Sequence, residues 1–224
     1  MGNEGSCVKA YVITIKDNEK SVEAAKRCIE SGKKWGADIE MWTATTPQDA
    51  PRGIAKRKGF AVEGFEEVYS RFDNCLAAFC SHYSLWEQCL KLKQPITIFE
   101  HDAIVTDQIP ERPFKGVMNI GAPSYGKFNE PQHFGVGPLT TKRYFPGAHA
   151  YQITPAGANE LISNAKMGKA RPTDVYINLD IFPWLQEFYP FIAKADDSFT
   201  TIQRERGCLA KHNYSDDYKI EKVT

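Results

Sequence analysis

The chain has 224 residues, of which 42% are hydrophobic and 25% charged, and its 28 basic side chains balance 28 acidic ones. This composition fits one globular domain with a sizeable core. The balance of charge does not favour nucleic acid as a partner, although a local basic patch stays possible. No apolar run reaches the roughly 20 residues of a membrane span, and residues 1–6 lack the order of a signal peptide. We therefore expect a cytoplasmic protein without a membrane span.

The cysteines point to the same compartment. None of them has the paired C-x-x-C spacing of a metal or redox motif, and three of the six fall in one predicted helix, where cysteine behaves as a small apolar residue. Free, buried thiols in a reducing environment are the expected state. The cysteines are Cys7, Cys28, Cys75, Cys80, Cys89 and Cys208.

A β-α-β unit follows a polar leader of residues 1–8, which we expect to be flexible. Residues 11–15 are predicted to form a strand, Ser21 is the predicted N-cap of a helix that ends at Gly32, and residues 39–44 form the second strand. Such units build parallel sheets, which commonly bind nucleotides at the carboxyl ends of their strands. The candidate nucleoside contacts at these strand ends are Thr14, Lys16, Thr43 and Ala44. No glycine-rich phosphate loop follows the first strand, so the phosphates would need another cation.

The next part of the chain combines an irregular connection with the strongest helix signal. Residues 46–65 mix proline and glycine with basic residues, which predicts a long, irregular loop that could move. Residues 74–91 keep helical spacing and place His82 on the apolar face. A histidine at such a position is more often a hydrogen-bonded core residue than a catalytic one, and both roles remain open.

The stretch 95–105 is an apolar run that ends in Glu100, His101 and Asp102. Ligands of parallel sheets bind beyond the carboxyl ends of the strands, where these residues would lie. Because side chains alternate along a strand, Glu100 and Asp102 are expected to share one side and His101 to take the other. Two carboxylates on one side can hold a hard divalent cation that also binds phosphates. The alternative is that they only mark the strand end and cap a turn.

The second half of the chain has weaker signals. Residues 122–146 are rich in glycine, proline and aromatic residues without periodicity, which favours a wall of the binding site. Residues from about 193 to 224 are polar and aperiodic and are predicted to form a tail. The other predicted elements are a strand at 116–121, a strand at 147–153, a helix from its N-cap Thr154 to Ala165, and a helix at 175–182.

Four sequence motifs in a fixed order resemble glycosyltransferase family 25, which includes lipooligosaccharide and collagen galactosyltransferases. The likeness extends from the first strand to about Asp174. The motifs are Cys80-Ser81-His82-Tyr83-Ser84-Leu85-Trp86, then Phe99-Glu100-His101-Asp102, then residues 147–158 with Gly147-Ala148-His149-Ala150-Tyr151, and then Pro172-Thr173-Asp174.

The resemblance implies an α/β, GT-A-like (Rossmann-like) single domain over residues 1–224, with a mostly parallel central sheet flanked by helices. It also implies a UDP-sugar donor, an inverting transfer, and manganese or magnesium held by Asp102 with Glu100. The family's carboxylate motif is usually Glu-Asp-Asp, and here His101 stands at its middle position. Imidazole suits softer ions than magnesium, so His101 could alter the choice of metal. We count Glu100, His101 and His82 among the donor-binding candidates.

An inverting displacement also needs a general base beside the acceptor hydroxyl. By position we predict Asp174 for this role, with Asp180 in reserve. The alternatives are an N-cap role for Asp174 and a solvated position on a helix for Asp180. His149 either faces the sugar or packs in the core.

The leading hypothesis is therefore a metal-dependent transferase that moves galactose or glucose from a UDP-sugar to a saccharide such as a lipopolysaccharide core. A second hypothesis keeps the donor and replaces the acceptor by a hydroxylated protein side chain or a hydroxymethylated DNA base. A third is an inactive relative that binds a nucleotide, for which the departure at His101 is the support. The sequence does not specify the acceptor, the linkage or the oligomeric state.

Overall fold

The computed structural model describes residues 8–66, 70–124, 126–196, 199–203 and 219–220. Strands and helices alternate along the first half of the chain, whereas the second half is mainly strands and loops. The strands are β1 (Lys9–Thr14), β2 (Ile39–Thr43), β3 (Ile96–Glu100), β4 (Ala103–Val105), β5 (Val117–Asn119), β6 (Gly135–Pro138), β7 (Ala150–Ile153), β8 (Gln186–Tyr189), β9 (Ala193–Ala195), β10 (Phe199–Thr200) and β11 (Lys219–Ile220). The α-helices are α1 (Glu19–Lys34), α2 (Pro51–Lys58), α3 (Phe72–Leu92), α4 (Pro155–Asn164) and α5 (Thr173–Tyr176).

Seven of the strands form the central sheet, in the order β2-β1-β3-β7-β5-β8-β6. Only β7 and β6 run against the direction that the other five strands share. Two small sheets lie outside it, an antiparallel pair of β4 with β9 and a parallel pair of β10 with β11. The predicted α/β, Rossmann-like fold with a mostly parallel sheet flanked by helices is confirmed.

Alternation along β1 divides the core into two layers. Tyr11 and Ile13 belong to the layer that contains the apolar face of α3, and Ala10 and Val12 belong to the layer that contains α1. The first layer buries apolar side chains of α2, α3, α4 and α5 against one face of the sheet, and the second buries those of α1 against the other. This burial is the main favourable contribution to folding. A side chain at a strand end therefore reaches α1 or α3 according to its register.

Helix α1 starts earlier and ends later than predicted. Its N-cap is Asn18, whose side-chain oxygen accepts a hydrogen bond from the Ser21 backbone N–H at 2.9 Å. Ser21 is thus in the first turn, and its prediction as N-cap is wrong because the preceding asparagine takes that role. The helix continues through Gly32 to Lys34. Gly32 faces Ile39 closely, since a Cβ there would lie 2.4 Å from the Ile39 Cδ1.

The predicted loop at 46–65 contains α2, so the expectation of an irregular connection is wrong for this part. Pro51 is the first helical residue, where its missing N–H removes no hydrogen bond. Gly59 ends the helix with a left-handed backbone conformation, φ 78°. The proline and the glycine that suggested a loop are thus boundary residues of a short helix.

The second half differs from the predictions in four places. The helix predicted at 175–182 is limited to α5, after which Asn178 pairs with Tyr144 in an isolated β-bridge. The strand predicted at 147–153 is limited to β7, because Gly147 and Ala148 have φ values of 88° and 50°. The aromatic segment 122–146 contains β6, and the predicted tail contains β9, β10 and β11 in its described part. The leader lies almost wholly outside the described residues.

The described cysteines are free and buried: Cys28, Cys75, Cys80 and Cys89. Burial raises the pKa of Cys28, Cys80 and Cys89 to about 12 in each case, so these thiols stay protonated and unreactive. Cys7 and Cys208 lie outside the described residues. Among the helices of the described ranges, none combines the length and the apolar character needed to cross a bilayer.

Candidate functional site

A cavity lies at the carboxyl ends of β1, β2 and β3, on the face of the sheet that α3 covers. Parallel strands end at the same edge of a sheet, and this edge is where α/β proteins bind their ligands. The cavity is open to solvent, and the space that it encloses together with its mouth is about 710 Å³. Its lining consists of Ile13, Ile15, residues 44–47, residues 100–102 and 199–202, and from α3 Asn74, Ala77, Ala78, Ser81 and His82.

Glu100 is the last residue of β3 and faces α3. Ile96 and Ile98, which share its side of the strand, pack in the core layer that contains α3. The Glu100 Oε1 lies 3.0 Å from the Nε2 of His82, which is almost fully buried, whereas 29% of the Glu100 side chain is exposed. The carboxylate is therefore held from inside the protein while it borders the cavity.

His82 has a second buried partner. Its Nδ1 lies 2.9 Å from the hydroxyl of Tyr151, and that hydroxyl accepts a hydrogen bond of 2.9 Å from the Nε1–H of Trp86. Burial lowers the pKa of His82 to about 3, a shift that the negative charge of Asp174 partly opposes. At neutral pH the imidazole is thus uncharged. The prediction that His82 lies on the buried face of its helix is confirmed by its exposure of 1%.

His101 lies on the other side of the strand end, against α1. Its Nδ1 is 2.9 Å from the hydroxyl of Ser21, which also accepts a hydrogen bond from the Ile15 N–H. The imidazole stacks on Phe199, with ring centroids 5.2 Å apart and planes inclined by 7°. Burial lowers the pKa of His101 to about 4, helped by the positive charge of Arg27. His101 therefore joins α1 to the C-terminal part of the chain while it lines the cavity.

Asp102 stands in a turn rather than in the strand. Because β3 ends at Glu100, the strand alternation that was expected to align Glu100 with Asp102 does not continue, and that premise is wrong. The Asp102 carbonyl accepts a hydrogen bond of 2.8 Å from the Asp196 N–H. After burial, the negative charge of Asp102 is the second cause of the raised pKa of Cys28 in α1. The two carboxylates still line one cavity.

Glu100 and Asp102 are the carboxylates of the cavity that could hold a metal ion. Within the ranges given above, no group of three or more histidine, cysteine or acidic side chains is arranged to hold a metal. Magnesium-like ions are commonly bound by one or two carboxylates together with the phosphates of a substrate. Glu100 and Asp102 fit a cation that binds with a diphosphate, and they do not fit one held by protein groups alone.

The candidate nucleoside contacts separate into two sets. Ala44 lines the cavity, in line with its position after β2. Thr14 is buried on the α1 side, where its hydroxyl donates to the Val12 carbonyl at 3.1 Å. Lys16 and Thr43 are exposed to solvent. The cavity lining includes none of these three residues. It includes Ile13 of β1 and Ile15, which directly follows β1.

The two candidate bases lie in different surroundings. Asp174 is in the first turn of α5, where its Oδ1 accepts from the Val175 N–H at 2.9 Å, and its charge acts on His82. The N-cap of α5 is Pro172, so the N-cap alternative for Asp174 is wrong. Asp180 is 72% exposed and forms an ion pair with Arg143. Neither residue lines the cavity.

His149 is buried at the start of β7, where its surroundings are those of a packed residue. Its exposure is 2%, and a Cβ on Gly121 would lie 2.5 Å from its Nε2. Its carbonyl accepts a hydrogen bond of 2.9 Å from the Glu100 N–H, which joins β7 to the end of β3. Burial lowers the pKa of His149 to about 4.

Two parts of the site were missed in the sequence. Phe199 to Ile202 line the cavity from the tail, whose polar composition carries no periodic signal. Arg71 and Asn74 hold this segment by hydrogen bonds of 2.8 and 3.1 Å to the Thr201 carbonyl. The aromatic segment 122–146, by contrast, supplies no residue to the lining among its described positions.

The second missed part is the hydrogen-bonded surroundings of His82. Trp86 is one helical turn after His82, and Tyr151 stands in the Gly147–Tyr151 motif, so both lie in the quoted motifs. Ser81 acts on another part of the cavity, because its hydroxyl accepts a hydrogen bond of 2.8 Å from the Thr45 N–H and fixes the loop after β2. Ser81 thus fixes the loop after β2, and His82 contacts Glu100 at the end of β3.

The fold and the cavity are those of an α/β protein with an open pocket at the ends of its parallel strands. The sequence profile of glycosyltransferase family 25, described as an LPS biosynthesis protein family, matches residues 8–115. The matched segment contains the first two of the four motifs, with His82, Glu100 and Asp102, and it supports the resemblance of the chain to glycosyltransferase family 25. A comparison with curated proteins gave no match.

Proposed function

We propose that the protein transfers a hexose, galactose or glucose, from a UDP-sugar to a hydroxyl group of a saccharide acceptor such as a lipopolysaccharide core. The observation that carries the proposal is the cavity at the ends of β1 and β3, which has Glu100 and Asp102 in its lining. Both residues fall in the segment that matches a glycosyltransferase family. Sugar nucleotides carry a diphosphate, and a site without a glycine-rich phosphate loop needs another positive group for it.

Asp102 with Glu100 would hold manganese or magnesium together with the diphosphate. When bound, the cation would neutralise the charge that develops on the leaving nucleoside diphosphate. The protein's own contribution is orientation: His82 holds Glu100 by its Oε1, and the Asp102 carbonyl is bonded to Asp196. Ala44, Ile13 and Ile15 would supply apolar surface for the nucleoside.

An inverting reaction also requires a group that takes the proton of the acceptor hydroxyl as its oxygen attacks the anomeric carbon. Asp174 is our proposed base. Its support is the effect of its negative charge on the pKa of His82, a residue that lines the cavity. Asp180, exposed and paired with Arg143, has no such support.

A screen of UDP-sugars for hydrolysis tests the proposal, with manganese present and then removed by a chelator. We expect UDP release from UDP-galactose or UDP-glucose only with the metal, and faster release when a suitable saccharide acceptor is added. Asp180→Asn is the matched control, because it removes an acidic charge outside the cavity. Metal-independent release, or none with any UDP-sugar together with tight UDP binding, would contradict the proposal, the latter in favour of an inactive relative.

A further inference from the structure

We propose that Trp86, Tyr151 and His82 form a one-way chain of hydrogen bonds that positions the Glu100 carboxylate in the cavity. Trp86 and His82 come from α3, Tyr151 from β7 and Glu100 from β3, so the chain joins one helix to two strands. Of these four residues, Glu100 and His82 line the cavity. Trp86, Tyr151 and His82 are positioning residues, because they act on the cavity through Glu100. The functional consequence rests on the proposed function, whereas the direction of the chain does not.

The geometry is continuous from the indole to the carboxylate. The Trp86 Nε1 is 2.9 Å from the Tyr151 hydroxyl, that hydroxyl is 2.9 Å from the His82 Nδ1, and the His82 Nε2 is 3.0 Å from the Glu100 Oε1. All three distances are in the range of good hydrogen bonds. The His82 and Tyr151 rings are also nearly parallel, at 22°, with centroids 5.8 Å apart.

The direction follows from what each group can donate. An indole N–H only donates, so the Tyr151 oxygen accepts from Trp86. An ionised carboxylate only accepts, so the nitrogen of His82 that faces Glu100 must carry a proton. In a neutral imidazole the other nitrogen is then bare and takes the single proton of the Tyr151 hydroxyl. The proton donors therefore run from Trp86 through Tyr151 and His82 to Glu100.

The donors and acceptors around His82 are satisfied by a single ring proton. A proton on Nδ1 would deprive the Tyr151 hydroxyl, which already accepts from Trp86, of the acceptor for its own proton, and both side chains are almost fully buried, with exposures of 1% and 0%. The groups that face His82 are Glu100 from β3, Tyr151 from β7 and, at longer range, Asp174 from α5. A neutral histidine with one defined tautomer is the state that satisfies both of its nitrogens.

The consequence concerns the orientation of Glu100. With its Oε1 bonded to a ring that is itself fixed at the other nitrogen, the carboxylate loses the rotational freedom of an exposed glutamate. Outer partners of this kind orient metal-binding side chains, and their removal commonly reduces metal affinity or activity by about 10- to 100-fold. The chain would thus fix the geometry in which Glu100 meets the cation and the donor.

The first test measures the tautomer directly in the unliganded protein. Nitrogen-15 chemical shifts of the histidine rings, with the His82 signals assigned from their loss in His82→Gln, should show at neutral pH a protonated Nε2 and a bare Nδ1. A protonated Nδ1, or protons on both nitrogens, would overturn the proposed direction. This measurement needs no sugar nucleotide, so its outcome does not depend on the proposed function.

The second test compares two tyrosine variants. Tyr151→Phe removes the hydroxyl and leaves Trp86 and His82 without their shared partner, whereas Tyr83→Phe removes a hydroxyl from a buried tyrosine of α3 outside the chain. We expect the first variant to weaken UDP binding in the presence of manganese by about 10- to 100-fold and the second to change it little. Both are compared at temperatures where thermal melting shows them folded. Equal affinities of the two variants would overturn the positioning role.

The outcomes separate the two proposals. If the wild-type protein binds no UDP with manganese, the proposed function fails, and the nitrogen shifts still decide the direction of the chain. If UDP binds but the shifts show the opposite tautomer, the chain fails and the proposed function stands. Partial recovery in His82→Gln relative to His82→Leu would add support, because glutamine can donate to Glu100 and leucine cannot. Equal loss of UDP affinity in these two variants would contradict the donor role of His82.

Discussion

His82 of α3 and His101 lie beside the end of the same strand, the first buried and the second half-buried, and their surroundings differ. His82 lies on the α3 side, bonded to Glu100 and, through Tyr151, to Trp86. His101 lies on the α1 side, bonded to Ser21 and stacked on Phe199. One imidazole is connected to a carboxylate of the cavity, and the other connects two distant parts of the backbone. The comparison separates the histidine that we propose to position Glu100 from the histidine that joins α1 to the strand end.

The difference also bears on the departure from the family's Glu-Asp-Asp pattern. His101 stands at the middle position, and its Nδ1 already has Ser21 as a partner. The position is therefore used to join α1 to the strand end through the Ser21 hydroxyl. Glu100 and Asp102, on either side, keep their places in the cavity lining.

The largest expected effect is that of Asp102→Ala. It removes one of the two carboxylates that would bind the cation, so we expect metal-dependent hydrolysis of the UDP-sugar to fall by more than about 100-fold, beyond the usual loss for an outer partner. Hydrolysis assays with manganese measure the loss, and circular dichroism checks the fold. Unchanged hydrolysis would place the metal site elsewhere.

The next effect distinguishes the two histidines by activity. His82→Leu removes the donor to Glu100 and leaves the Tyr151 hydroxyl without its acceptor, so we expect activity to fall by about 10- to 100-fold. His101→Leu keeps apolar contact with Phe199 and loses the bond to Ser21, so its main effect should be on stability, about 1 to 3 kcal/mol. Hydrolysis rates and urea unfolding of both variants check the contrast. If the two variants lost hydrolysis activity in the same proportion to their loss of unfolding free energy, the proposed difference between His82 and His101 would be wrong.

The pH dependence of stability tests whether the pKa values of His82 and His101 are both lowered in the folded protein. Burial lowers the pKa of His82 to about 3 and of His101 to about 4, below the ordinary value of 6.5. Below pH 6.5 the unfolded chain therefore binds protons that the folded protein does not, so this contribution to stability is present above pH 6.5 and is lost as the pH falls toward 4. Each residue contributes a slope of up to about 1.4 kcal/mol per pH unit.

His101→Leu should make the fall shallower by up to that amount, as measured by urea unfolding at several pH values between 7 and 4. The variant is compared with wild type at each pH, so that carboxylate titrations common to both cancel. A slope equal to that of wild type would show that His101 is already charged in the folded protein.

The smallest effect is expected for Asp180→Asn. Asp180 and Arg143 are more than 70% exposed, and ion pairs at such positions contribute about 0 to 1 kcal/mol. Hydrolysis and unfolding should both stay close to wild type, whereas Asp174→Asn should reduce transfer to an acceptor if Asp174 is the base. A large loss of transfer in Asp180→Asn with transfer retained in Asp174→Asn would reverse their roles.

The parts that could be predicted from the sequence depend on local periodicity. The spacing in α3 placed His82 on the apolar face, and the apolar run of β3 placed Glu100 at a strand end, because both signals lie within one element. The alternation beyond Glu100 failed because a turn begins at His101, and turn positions after a strand carry no strong local signal.

The remaining parts depend on contacts between distant elements. Tyr151 meets His82 because β7 pairs antiparallel with β3, with Tyr151 opposite Ile98, and no local pattern specifies that register. Phe199 meets His101 through a segment that is polar and aperiodic in sequence. Such partners become visible only when the sheet order is known.

A calorimetric titration of the protein with UDP, with and without manganese, tests the central claim that the strand-end cavity binds a nucleotide diphosphate through Glu100 and Asp102. We predict binding that requires manganese in the wild-type protein and that disappears in Asp102→Ala. UDP binding of equal strength with and without the metal, or equal binding in the variant, would contradict the account.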